Sequence, residues 1–224
     1  MPDAPLTAIR LRDTHRLMPS RYPSVGIFDA VAAPEDLEAI IELAGWTDDR
    51  ISAELGVIRA IPAAEWVVGP MASVVMAAFC HPDPQGARFN EARLGAWYAG
   101  RALETAHAEV IHHRTRELEE IGLRDARVHM RQYLADFNTE FHDIRGDDPA
   151  FAPLYLPDSY EASQAFAVGL RAAGSNGVLF RSVRHPGGEC VACFRPRLVT
   201  NVRPAAHFEY RWSGHRMPAV TRLG

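Results

Sequence analysis

The sequence predicts a single α+β domain in which helices alternate irregularly with a mostly antiparallel sheet, and three observations carry that reading. The first is LETAHAEVIHHRTRELEE, residues 103–120, a helical stretch with no Gly or Pro inside and Gly122 just beyond it. The second is a pair of β-rich runs, GVLFRSVR and ECVACFRP, joined by His185-Pro-Gly-Gly188, a hairpin signature. The third is continuity: no internal repeat, low-complexity tract or flexible linker divides the 224 residues, enough chain to bury a sizeable core as one unit.

Taken in order, PEDLEAIIELA at 34–44 reads as a helix with Pro34 in its first turn and Gly45 as its stop. A short helix over 49–55 closes at Gly56, and MASVVMAAF reads as a third, so residues 30–80 form a mainly helical insertion. The two prolines and glycine of HPDPQG, 81–86, then end any regular element. ARFNEARLGAWYAG gives a turn leading into a short strand that ends near Tyr98, ahead of the 103–120 helix. VHMRQYLADF and TEFHDIR read as two strands, and Asp158-Ser-Tyr-Glu161 as a capping box opening a helix that runs to Gly174. The hairpin follows, and HFEYRW in the tail reads as an edge strand.

Composition narrows the function. Apolar residues at 47% and charged residues at 23% exclude disordered and fibrous classes. A net charge of −4 gives no general affinity for nucleic acid, so no direct nucleic-acid binding is expected. Arg heavily outnumbers Lys, which suits phosphate and carboxylate recognition but is equally a product of a GC-rich genome. The N-terminal residues lack a signal-peptide core, and VVGPMASVVMAAFC is broken by Gly69-Pro70 and too short to span a bilayer. With three cysteines, Cys80, Cys190 and Cys193, the expectation is a cytoplasmic protein with no membrane partner.

His107-Ala-Glu109 followed by Cys190-Val-Ala-Cys193 has the outline of a zinc deaminase, in which His and two Cys hold the ion and Glu moves protons. Strand parity counts against it, because side chains three apart on a strand point to opposite faces. Glu189 also stands where that outline has a Pro. The expectation is therefore no bound metal, with both Cys buried as small apolar residues. His112 and His113 diverge by about 100° on a helix, so at least one should be solvated or capping.

On the helix, Thr105, Glu109 and His112 or His113 share one face, and Ala102, Ala106 and Ala108 leave room for close approach. Helix chemistry alone makes Glu109 a surface carboxylate paired with Arg101 or Arg116. The company it keeps shifts that balance.

RFNEARLGAWYAGRALETAHAEVIHH together with SNGVLFRSVRHPGGECVACFRP resembles the RES-domain family, toxins of bacterial toxin–antitoxin pairs. HRLMPSRYP resembles that family's opening Arg motif, so the likeness covers most of residues 15–200 of a single RES domain, 1–224. The family's glycine-rich turn is only partly kept, as QGARFN, and the 30–80 insertion is unlike its shorter members. The resemblance implies an ADP-ribosyltransferase-like fold, NAD⁺ as substrate cleaved between nicotinamide and ribose, and an Xre-type helix-turn-helix antitoxin as partner. Water, phosphate or a protein could then receive the ADP-ribose.

It also implies a site: Glu109, Arg88 and Ser182 as catalytic residues, with Arg16, Arg21 and Tyr98 binding the dinucleotide. The residue types suit the task. A fixed carboxylate stabilises positive charge developing on ribose, guanidinium groups grip pyrophosphate, and Tyr98 offers a ring to nicotinamide and a hydroxyl to orient it. Ser182 shares strand parity with Val178 and Phe180 and so points inward. Each has an ordinary alternative: Tyr98 as a core ring, Ser182 as a backbone-bonded hydroxyl, Arg16 and Arg21 in surface ion pairs. No Gly-x-Gly-x-x-Gly fingerprint marks a Rossmann site. Two other functions stay open, the zinc deaminase using His107, Glu109, Cys190 and Cys193, and a catalytically silent binding module of the same fold.

Overall fold

The computed structural model describes residues 2–21, 27–29, 58, 60–214 and 217–224. The helices expected at 34–44 and 49–55 lie outside these residues.

The first element, strand β1 (Leu6–Pro19), is not among those expected from the sequence. Its first half alternates strictly, with Thr7, Ile9 and Leu11 half-buried and Leu6, Ala8, Arg10 and Arg12 exposed, the pattern of an antiparallel strand with one wet face. Further strands are β2 (Trp97–Gly100), β3 (Asp125–Asp143), β4 (Gly177–Arg181), β5 (Glu189–Cys193), β6 (Thr200–Ser213) and β7 (Ala219–Leu223). The two strands expected between 128 and 145 are one. Asn138 continues β3 because Arg10 of β1 pairs with it, part of a ladder from Leu6 opposite His142 to Pro19 opposite Met130.

The strands form one seven-stranded sheet in the order β1-β2-β5-β4-β3-β6-β7, and the extra β1–β3 pairing closes the first five into a ring. All pairings are antiparallel except a short parallel contact of β3 with β4. The chain is thus a mixed α+β domain with a mostly antiparallel sheet, as its sequence predicts. HFEYRW falls inside β6 and is not at the edge. β7 pairs along its outer side and takes that place, itself exposed throughout.

Three α-helices lie against the sheet among the described residues: α1 (Ala72–Cys80), α2 (Leu103–Glu120) and α3 (Glu161–Ala172). Helix α1 buries Val75, Met76 and Phe79 against Trp97, Tyr133 and Phe141. Helix α3 places Phe166 and Leu170 over Val178, Phe180 and Cys190, on the other face of β4 and β5. Helix α2 lays Ala106, Val110 and Ile111 on Met130, Phe208 and Tyr210. The capping box ahead of α3 does not form. The helix starts at Glu161, which is therefore too early to act as the third helical residue, and the N-cap Tyr160 makes no side-chain cap bond. Gly174, at φ +77°, ends that helix as expected. No helix among the described residues is long and apolar enough to cross a membrane.

Candidate active site

Helix α2 meets the β4–β5 hairpin through the face that carries Thr105, Glu109 and His112. Ser182 lies just past the end of β4, and its Oγ donates to Glu109 Oε1 at 2.6 Å. The same oxygen accepts from the backbone N–H of Arg184 (3.1 Å) and of His185 (2.9 Å), so one hydroxyl shapes the loop and ties it to the carboxylate. One helical turn earlier, Thr105 Oγ1 and His185 Nδ1 lie 2.9 Å apart. Gly188 makes this docking possible: a Cβ there would stand 2.7 Å from Thr105 Oγ1 and 2.8 Å from His185 Nδ1.

Glu109 therefore does not pair with the arginines beside it in sequence. Arg101 pairs with Glu189, and Arg116 with Glu120 at 3.0 Å. Glu109 Oε2 has no hydrogen-bond partner among the described residues, which leaves it available to a ligand hydroxyl.

Arg88 reaches the same place from the turn between α1 and β2. It is only 7% exposed, its Nη1 donates to the carbonyls of Leu154 (2.8 Å) and Leu156 (3.0 Å), and its guanidinium lies 4.8 Å over the Tyr160 ring. Burial lowers its pKa, and the nearby Tyr160 and Glu109 oppose that. Tyr98 holds the turn itself: its hydroxyl accepts from Phe89 N at 2.9 Å and donates to Asn90 Oδ1 at 2.8 Å, and burial holds that hydroxyl well above its ordinary pKa. The hydroxyl is thus committed to the Phe89 backbone and the Asn90 side chain, just C-terminal to Arg88.

The structure brings Glu109, Ser182, Arg88 and Tyr98 together, and Arg16 and Arg21 elsewhere. Arg16 donates to Tyr98 O at 3.2 Å but stacks 4.8 Å over Trp97, whose ring leaves β2 on the face opposite to Tyr98. Its Nε is buried with no partner among the described residues, and burial pushes its pKa down to about 10. Arg21 is exposed at the end of β1 and acts electrostatically on Glu117, two turns along α2 from Glu109.

Cys190 packs under α3 and Cys193 in the cluster under α1, on opposite faces of β5, so the two thiols cannot share one ion. Burial raises both pKa values, that of Cys193 to about 12. His107 is turned to the sheet, bonded through Nδ1 to the Tyr210 hydroxyl. His112 and His113 are both half-buried, their rings edge-to-face at 5.4 Å, where the sequence suggests that at least one is solvated or capping.

Sequence reasoning missed Arg184, whose Nη2 donates to Pro157 O, and Tyr160 under Arg88. The first had a signal, standing two residues after Ser182 before a tight Pro-Gly-Gly turn. The second had none, since only the tertiary fold brings the 155–160 segment to Arg88. A separate apolar concavity on α2, lined by His107, Ala108, Ile111, Phe208, Met217 and Val220, includes neither Glu109 nor Ser182.

The RES domain family matches residues 57–213, and the chain belongs to that family. Among individual proteins it is similar to y4oC of Sinorhizobium fredii, 22% identical over 210 residues that span 91% of this chain and 84% of y4oC. Among solved structures it is similar to a chain in the crystal structure of the M. tuberculosis MbcT–MbcA toxin–antitoxin complex. That match has a TM-score of 0.47 and 12% identity, over 90% of this chain and 86% of the other.

Proposed function

We propose that this protein is a toxin of a toxin–antitoxin pair that cleaves NAD⁺ between nicotinamide and ribose. The observation that carries the reading is the 2.6 Å bond from Ser182 to Glu109, with Glu109 close enough to act on the Arg88 guanidinium. These residues come from three separate segments, and a fixed carboxylate beside a guanidinium with free donors matches a ribose linked to phosphate.

In the reaction the C1′–N bond breaks, and its electron pair leaves with nicotinamide. Glu109 stabilises the cationic ribose and accepts a bond from a ribose hydroxyl through Oε2. Ser182 holds the other oxygen and so fixes the direction of the charge. Tyr98, its hydroxyl spent on the Arg88 turn, contributes its ring. Water, phosphate or a protein side chain then supplies the electron pair to C1′. An unchecked NAD⁺-consuming enzyme harms its own cell, which is the reason for an antitoxin partner, read as Xre-type from the family likeness.

The test is incubation of pure protein with NAD⁺, with and without phosphate and cell extract, followed by identification of products by mass. Nicotinamide should appear together with ADP-ribose, its phosphate ester or a modified protein. Intact NAD⁺ in every arm would remove the proposal.

A further inference from the structure

Two guanidinium groups converge on one short stretch of backbone beside Glu109. Arg88 is held by the carbonyls of Leu154 and Leu156, and Arg184 by the carbonyl of Pro157. A carbonyl orients a guanidinium without neutralising it. Among the described residues neither arginine meets a carboxylate at ion-pair distance, whereas Arg101 pairs with Glu189, Arg116 with Glu120 and Arg181 with Asp147. Nε and Nη2 of Arg88, and Nε and Nη1 of Arg184, have no hydrogen-bond partner within the described protein.

The two charges act on each other, each arginine also acts on His112, and Arg184 acts on His113. The opposing carboxylates are Glu109, toward Arg88, Asp158, toward His112, and Asp83, toward His113. Gathering like charges in a partly buried place is unfavourable unless an anion completes it. The backbone of Arg184 is set by Ser182 Oγ, so this cation is fixed to the same loop that orients Glu109.

We propose that Arg184 is a substrate-binding residue that forms with Arg88 a two-armed site for linked phosphoryl groups, the role that the family resemblance gives to Arg16 or Arg21. Two planar forks with free donors match the two phosphates of a dinucleotide better than one carboxylate. That the ligand is a dinucleotide rests on the NAD⁺ reading. That the pair takes a diphosphate does not.

The test is calorimetric titration of the full chain with inorganic pyrophosphate and with nicotinamide riboside, which has no phosphate, in the parent, Arg184→Gln, Arg184→Lys and, as a distant surface control, Arg10→Gln. Pyrophosphate should bind the parent and Arg10→Gln alike. Arg184→Gln should weaken it roughly ten- to a hundredfold, the loss of charge-assisted bonds, and Arg184→Lys should recover part of it. Nicotinamide riboside affinity should not change, which a loop that merely collapsed would not allow. If Arg184→Gln fails to fold, Arg184→Lys carries the comparison, with weakened pyrophosphate binding expected. A parent that does not bind pyrophosphate, or folded variants that bind it as tightly as the parent, would overturn the site. Binding that depends on Arg184 in a protein that leaves NAD⁺ intact would instead keep the site and remove the NAD⁺ reading.

Discussion

Ser182 shows how much one hydroxyl can organise. It accepts from two backbone N–H groups of its own loop and donates to Glu109, so Ser182→Ala removes three bonds at once. One involves a carboxylate, and the expected loss of stability is about 1–3 kcal/mol, read from urea denaturation. NAD⁺ turnover should fall by roughly tenfold or more, because the same change releases Glu109 from its orientation. Unchanged stability and turnover would mean that the hydroxyl is incidental. Family resemblance names Glu109, Arg88 and Ser182, and the fold brings the three near one another. What their hydroxyl and guanidinium neighbours do was not legible in the sequence, because Phe89 N, Asn90 and the Leu154 carbonyl are brought close only by the fold.

At the scale of elements, α2 carries three histidines whose pKa values burial lowers, His107, His112 and His113, the last to about 4. His15 and His142 are shifted the same way by burial. An unfolded His titrates near 6.5, so between about pH 6.5 and pH 4 the unfolded chain binds more protons than the folded one. Stability should therefore fall as pH drops through that window. Asp143, held low by its bond from Arg145, adds to the loss at still lower pH, while Glu117, raised by burial, works against it. A urea midpoint lower at pH 5 than at pH 7.5, with a shallower dependence in His113→Gln, is the expected result. An equal or higher midpoint at pH 5 would contradict it. Helix α2 itself was legible to the residue, since nothing inside it competes with the helix. The strands were less so: β1 was missed although its alternation is plain, and β3 was split at Asn138, whose poor strand propensity is overridden by pairing with β1.

Across the whole molecule, the class and the mostly antiparallel character of the sheet could be read from the hairpin and the scattered helices. Ring closure could not, because the β1–β3 pairing joins residues more than a hundred positions apart and leaves no local mark. That closure matters to the site. β1 pairs with β2 as well as β3, and β2, which carries Tyr98, pairs with β5 of the hairpin, so the Arg88 turn, the Ser182 loop and Glu109 come together from distant segments. The central claim is that the charge of Glu109 drives cleavage there. It is tested most directly by the rate of nicotinamide release from NAD⁺ by Glu109→Gln and by the parent. The amide keeps the shape and can still bond a ribose hydroxyl, so NAD⁺ binding should weaken only modestly. Release should fall roughly 10²-fold or more, about 2.7 kcal/mol of transition-state stabilisation. A folded Glu109→Gln protein that releases nicotinamide as fast as the parent would show that Glu109 is not the catalytic carboxylate.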